Sequence, residues 1–233
     1  MSKNLSIILS TYNEKLSIEF TINELVKYLP GVEIVVVDDD SPDRTLEVIK
    51  KINYENLKIF SRTKTKGLAS AFLLGLINTK GDIVGWLDSN MGEVAKKFPE
   101  MLQNLNNADI VVLSRYIPGG ADERSKFRVL SSKVINLACR IILSKEIKDY
   151  TSGIFVMRRN VLSTIVPISY GHGEFFIEFL YQAHKKGLKI IELPYIHLPD
   201  IKGHSKTATN VVRFFTLGFF YITRIFLSLV RRN

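Results

Sequence analysis

The sequence predicts an α/β fold in which a mostly parallel central sheet is flanked by helices and followed by a C-terminal helix of different character. Three observations carry that prediction. Short β-branched runs alternate with segments of helical spacing through the first 115 residues, the pattern of a sheet covered on both faces. Acidic side chains gather directly behind those runs, where the loops of a parallel sheet collect ligands. Beyond Asp200 the chain changes register altogether, with no acid, six basic residues and a long aliphatic and aromatic run.

Strands are expected at residues 5–9, 33–37, 57–60, 82–87 and 109–113, with helices between them at 14–29 and 67–77. Residues 117–128, IPGGADERSKFR, form a charged, glycine-containing connection with the composition of a mobile loop. A helix near 130–143, a strand at 154–157, a helix at 174–186 and a strand at 189–193 complete the pattern. We divide the chain into a catalytic domain, 1–207, and a hydrophobic basic helix, 208–233. At 233 residues the chain is long enough for one generous domain or one domain plus an appendage.

Composition narrows the function. The lone Cys139 argues against a secreted, disulfide-stapled scaffold. The apolar run at the N-terminus is short for a signal peptide and reads as the first strand of a cytoplasmic domain. Residues 1–200 hold 26 basic and 23 acidic side chains, a net +3 within a total of +9. The excess therefore sits in the tail and points to a polyanionic surface. Residues 211–230, VVRFFTLGFFYITRIFLSLV, are too apolar for a nucleic-acid arm, and no aromatic-basic motif supports nucleic acid as a partner. They read as a membrane helix. As a helix they would span about 30 Å, but Arg213 and Arg224 interrupt a plain crossing. Lys206, Arg213, Arg224 and Arg231 fall on one stripe, so a helix lying in the interface is favoured over a single spanning anchor or a face packed on a second copy or a membrane partner subunit.

The chemistry concentrates at two strand ends. The second strand runs into VVVDDDSPDRT, where Asp38, Asp39 and Asp40 are adjacent and Asp43 follows. A Ser-Pro-Asp turn explains Asp43 as a helix cap. Three neighbouring carboxylates that repel one another instead suggest a cation or the donor groups of a nucleoside. The fourth strand ends in GWLDSN, placing Asp88 where a hard cation could hold substrate phosphates. Arg115, Arg124, Arg128 and Lys206 could supply the positive charge that diphosphates need.

In order, the segments STYNE, VVVDDDSPDRT, KGLASAFLLG, GDIVGWLDSN, SRYIPGG, DYTSGIFVMRR, GEFFIEFLYQAHKKGLKIIELP and GHSK span residues 10–206. Together they resemble the family 2 glycosyltransferases, in particular the dolichyl- and polyprenyl-phosphate mannosyltransferase and glucosyltransferase branch. The resemblance implies a Rossmann-like nucleotide-diphospho-sugar transferase fold. It implies that Tyr12, Glu14, Asp38, Asp39 and Lys66 contact the nucleotide, that Asp88 and Asn90 hold magnesium or manganese, and that Arg115, Arg128, Ser205 and Lys206 gather the sugar diphosphate and the acceptor phosphate. The donor would be GDP-mannose or UDP-glucose, with the former favoured. The acceptor would be a polyprenyl or dolichyl phosphate at the cytoplasmic face of a membrane, reached with inversion at the sugar carbon. A glycan acceptor, or a sugar-nucleotide-binding relative with impaired catalysis, are the alternative readings.

The chain departs from the family pattern at four places. The usual Asp-x-Asp is Asp88-Ser89-Asn90, Gly92 stands for a common Gln, Asp200 for an Arg, and Ser10 for a Pro. An amide oxygen at Asn90 ligates a cation with less charge than a carboxylate, so weakened metal affinity is expected unless Glu93 reaches inward.

Overall fold

The computed structural model describes residues 4–199 and 211–231, with side chains placed from 218 onward in the second stretch. The order is β1 (Leu5–Thr11), α1 (Ile18–Tyr28), β2 (Glu33–Asp38), α2 (Thr45–Ile49), β3 (Leu57–Ser61), α3 (Leu68–Asn78), β4 (Ile83–Asp88), α4 (Phe98–Asn104) and β5 (Ile110–Ser114). Then come β6 (Ala121–Asp122), α5 (Lys126–Ile142), β7 (Phe155–Arg158), α6 (Phe175–Lys185), β8 (Ile190–Pro194), β9 (Ile196–His197) and α7 (Val211–Val230).

Seven strands form one sheet in the order β3-β2-β1-β4-β7-β5-β8. Neighbours pair in parallel except at β7, which runs antiparallel to both β4 and β5. The predicted α/β class with a mostly parallel sheet is what the chain adopts. β6 and β9 make a separate two-stranded parallel ribbon that the sequence pattern did not announce, because two-residue strands have no periodicity to read.

The sheet is buried on both faces. One face packs Ile7, Leu9, Ile34, Val36 and Leu87 against Ile18, Ile22 and Leu25 of α1 and Phe98 of α4. The other carries an aromatic layer in which Phe72 meets Trp86 edge-on at 5.0 Å and Phe155 stacks on Phe176 at 5.3 Å. Such pairs contribute beyond their buried area. Gly75 lets α3 lie directly on Ile8, since any Cβ there would collide with that side chain.

α7 packs mainly on α6 and also touches α5. Arg224 is buried and donates to Glu178 Oε2 at 2.8 Å, and Arg231 pairs with Glu178 Oε1. The described part of the basic stripe thus faces the protein, where a buried carboxylate neutralises it. The side chain of Arg213 and all of Lys206 lie outside the described residues. What α7 turns outward is apolar: Phe219 is 66% exposed, and Ile222, Phe226 and Val230 are exposed beside it. Among the described residues no helix is long and apolar enough to cross a membrane.

Candidate functional site

Register puts the acids together. β1 lies between β2 and β4, with Thr11 opposite Asp38 and Ser10 opposite Asp88. Parallel strands end at one edge, and the segments that follow them open a cleft of about 560 Å³. Tyr12, Glu14, Asp39, Lys66, Asp88 and Asn90 line it, together with Arg115, Arg124, Arg128, His172 and His197.

The two expected nucleotide acids separate. Asp38 is fully buried and turns away from the cleft, accepting hydrogen bonds from the Ser41 hydroxyl at 2.5 Å, the Ser41 amide at 3.1 Å and the Thr11 hydroxyl at 3.4 Å. It builds the turn after β2, which corrects the expectation that it faces ligand. Asp43 likewise serves the chain, accepting from the Thr45 and Lys15 amides. Asp39 does line the cleft. Arg62 Nε donates to its Oδ1 at 2.7 Å and the Gly67 amide to its Oδ2 at 2.7 Å, so the carboxylate is held rigidly. Lys66 reaches Asp40 at 3.3 Å and lies 5.8 Å from the Tyr12 ring centroid. Glu14 is oriented by the Ser17 hydroxyl at 2.6 Å.

Asp88 is the strained acid of the site. Burial, reinforced by the negative charge of Glu14, pushes its carboxyl up to about 6, against the pull of Arg124 and Arg128. A desolvated carboxylate beside a second acid favours a cation. Among the described residues no three His, Cys, Asp or Glu side chains gather into a cage. Asp88 and the exposed Asn90 offer two oxygen donors on one rim. That donor set suits a small hard cation that takes its other ligands from phosphate oxygens and water. Glu93 sits on the short 3-10 segment Gly92–Lys97 and is not among the cleft-lining residues, so it does not replace the missing carboxylate.

Arg115 lines the cleft, and its guanidinium is also engaged within the protein. Its Nε and Nη2 clamp Asp149 at 2.8 Å each, its backbone amide donates to the same carboxylate at 2.9 Å, and Nη2 also reaches the Thr151 hydroxyl at 2.8 Å. Asp122 lies 3.4 Å from its Nη1 and also binds Arg124. The guanidinium is therefore spent inside the protein, where it ties the end of β5 to the segment before β7. Asp149 is held below the usual carboxylate range against its own desolvation by Arg115. Arg124 and Arg128 also line the cleft, the former held on Asp122 by its Nε at 2.7 Å and its Nη2 at 2.5 Å. Ser205 and Lys206, expected in the site, lie outside the described residues.

Four further residues were not picked out by sequence reasoning. Arg62, Asp122 and Asp149 are the charge partners just described. His197, on β9, accepts or donates at 3.1 Å with the Tyr195 hydroxyl, and burial beside Arg124 and Arg115 pushes it down to about 3. It is therefore a neutral imidazole in the cleft. Asp149, at the head of DYTSG, and Asp122, in the 117–128 connection, stood in segments the sequence had already singled out.

The family model of glycosyl transferase family 2 matches residues 6–166, which includes the acid-bearing strand ends and the Asp149 segment. A dolichol-phosphate mannosyltransferase of Pyrococcus furiosus is 35% identical over 210 residues, covering 86% of this chain. The chain spans 58% of that relative's length. A polyprenol monophosphomannose synthase of Mycolicibacterium smegmatis is 28% identical, covering 89% of this chain and 82% of its own. In three dimensions, glucosyl-3-phosphoglycerate synthase of Mycobacterium tuberculosis, solved with UDP, superposes with a TM-score of 0.73 at 18% identity, covering 100% of this chain and 82% of its own. The matched strand ends, the cleft they open and the shared sheet place this chain among the family 2 glycosyltransferases.

Proposed function

We propose that the protein transfers a hexose, mannose in preference to glucose, from a nucleotide diphosphate sugar to a polyprenyl or dolichyl phosphate at a membrane surface. The observation that carries this reading is a single cleft lined by both signs of charge, with Asp39 and Asp88 among its acids and Arg124 and Arg128 among its cations. A phosphate monoester acceptor has a second pKa near about 6, so its oxygen is already a nucleophile at neutral pH and needs no general base. His197 and the partnered acids fit that economy, since no side chain in the cleft has to accept a proton. The task is to bring two anionic phosphates together, which Arg124 and Arg128 serve on the acceptor side. Asp39, fixed by Arg62, would accept from the donor groups of base or ribose.

Asp88 and Asn90 would hold magnesium or manganese. That ion would neutralise charge on the departing nucleoside diphosphate. The names of the mannosyltransferase relatives support the lipid-phosphate acceptor.

The membrane part of the reading rests on two exposed apolar faces. Phe127, Leu130, Val134, Leu137 and Ile141 repeat along α5 at helical spacing and are all exposed, with exposed Lys126 and Lys133 among them. α7, which touches α5, exposes Phe219, Ile222, Phe226 and Val230. An apolar stripe edged by lysine suits an anionic lipid interface.

The test is transfer of label from GDP-mannose and from UDP-glucose to a polyprenyl phosphate, with magnesium or manganese and with an EDTA control. Label entering the organic phase and lost with EDTA is expected. Label entering only a water-soluble glycan, or sugar nucleotide bound but never consumed, would sink the proposal.

A further inference from the structure

α7 enters the cleft as well as covering the protein. Gly218 and Tyr221 line it together with Asp88, Arg124 and Arg128. On its protein side the helix is gripped by Glu178, which is 1% exposed and takes both Arg224 and Arg231. Arg224 also lies over the Tyr170 ring, 4.8 Å from its centroid. The segment 170–173 is thereby held at one end by α7, and Tyr221 meets its other end. A Cβ built on Gly173 would lie 2.5 Å from Tyr221 Oη, so only glycine lets the two approach. In between, the Gly171 carbonyl accepts from the Ala69 amide at 3.3 Å. Ala69 is in the first turn of α3, two residues after Gly67, whose amide donates to Asp39. Contacts therefore run without a break from α7 through 170–173 to Asp39 in the cleft.

We propose that α7 is a wall of the reaction site, and that Tyr221 is a positioning residue that sets segment 170–173 and, through it, the end of the cleft that takes the nucleotide. This rests on reading the cleft as a nucleotide-sugar site. A helix that served only to hold the protein on lipid would need no hydroxyl in the cleft and no buried carboxylate gripping it from within. Burial keeps the Tyr221 hydroxyl protonated well above its ordinary range, so it adds no negative charge beside the phosphates.

The experiment is a double-mutant cycle of Gly173→Ala and Tyr221→Phe, read on donor KM and kcat with a short, water-soluble prenyl phosphate and no lipid. Anchoring then plays no part in the signal. The dissociation constants of GDP and UDP are measured alongside, and unfolding temperature confirms that each variant is folded. Tyr221→Phe is expected to raise donor KM about tenfold with kcat less affected, because displaced positioning groups cost on this scale. Gly173→Ala should do the same, since its methyl meets the hydroxyl. The double variant should be no worse than Tyr221→Phe alone, because the ring atom that remains, Cζ, is an ordinary 3.7 Å from that methyl. Glu178→Gln, which weakens the grip from the other side, should reproduce the KM loss if it folds. Additive losses in the cycle, or a Tyr221→Phe enzyme that is normal without lipid, would overturn the proposal. A wild-type protein that binds GDP or UDP but transfers no sugar defeats the lipid-phosphate reading alone, and the binding constants then decide the wall. Failure to bind either nucleotide overturns both.

Discussion

Two carboxylates lie at the strand edge of this molecule, both desolvated, and they behave in opposite ways. Asp149, before β7, is met by the Arg115 guanidinium and backbone amide and by the Thr151 amide at 3.1 Å, and its acidity is strengthened despite burial. Asp88, at the end of β4, faces Glu14 instead, and its carboxyl is pushed up to about 6. Arg124 and Arg128 offset that rise only in part. The region around Asp149 is electrostatically closed, with Asp149 and Asp122 set against Arg115 and Arg124. The region around Asp88 is open and short of positive charge. The first pattern is how a protein builds scaffold, and the second is how it keeps a place for a cationic or phosphate-bridging ligand.

The largest effect should come from breaking the closed region. Asp149→Ala removes the main partner of a buried pair and leaves Arg115 only the longer contact to Asp122, which costs about 3–5 kcal/mol. Urea unfolding of the variant should show that loss as a lower midpoint with an unchanged slope. A loss below about 1 kcal/mol would mean that Arg115 finds another partner and that the contrast with Asp88 is not one of balance.

Asp88→Asn should act in the opposite sense on stability. Transfer should fall by about 100-fold or more, as the loss of a group that stabilises leaving-group charge implies. The metal-free protein, by contrast, should gain about 1–2 kcal/mol near pH 7, allowing for the partial opening of the carboxylate to the cleft. The direction follows from proton counting. Between about pH 4 and pH 6 the folded protein holds a proton on Asp88 that the unfolded chain has released, so this group's contribution weakens as pH rises through that window. The variant should lose that slope. Urea midpoints across pH, with EDTA present, provide the check, and an unchanged slope would refute the buried-acid account.

How far the sequence revealed this contrast depends on what each residue needs to be seen. Asp88 and Asp39 were legible because each follows a buried strand, and strand ends can be read from hydrophobic runs. Asp149 and Arg62 were not read as partners, since their partners are 34 and 23 residues away and local patterning says nothing of contacts at that range. The inward turn of Arg224 and Arg231 was hidden for a related reason. A helical projection identifies the charged stripe of α7 but not which side the protein lies on, and Glu178 decides that from another helix. Antiparallel β7 was found as a strand, but its direction depends on the long crossover before it.

His197 gives a pH effect of opposite sign to that of Asp88. Buried beside two arginines, it stays neutral down to about pH 3. Below about pH 6.5 the unfolded chain takes up a proton that the folded protein refuses, so stability is lost progressively as pH falls toward about 3. His197→Gln should flatten that acid limb, and with Asp88→Asn in the same protein the two corrections should add, because the slopes arise from separate groups. An acid limb unchanged by His197→Gln would show that the imidazole is protonated in the folded state, paired with Asp122.

The smallest effect expected separates neighbours in sequence. Asp38 and Asp39 look equivalent in the run of acids, yet the first closes a turn and the second faces the cleft. Ser41→Ala deletes the hydroxyl that satisfies Asp38 and should cost about 1 kcal/mol, the usual loss for one partly buried hydrogen bond. Its effect on nucleotide affinity should be negligible, within about twofold, because neither Ser41 nor Asp38 lines the cleft. Asp39→Asn should weaken nucleotide binding by about tenfold, since it alters an acceptor aimed at the ligand and frees Arg62. Calorimetric titration of both variants with GDP and UDP distinguishes them. A tenfold loss in Ser41→Ala would return Asp38 to the site and show that the turn after β2 moves when nucleotide binds.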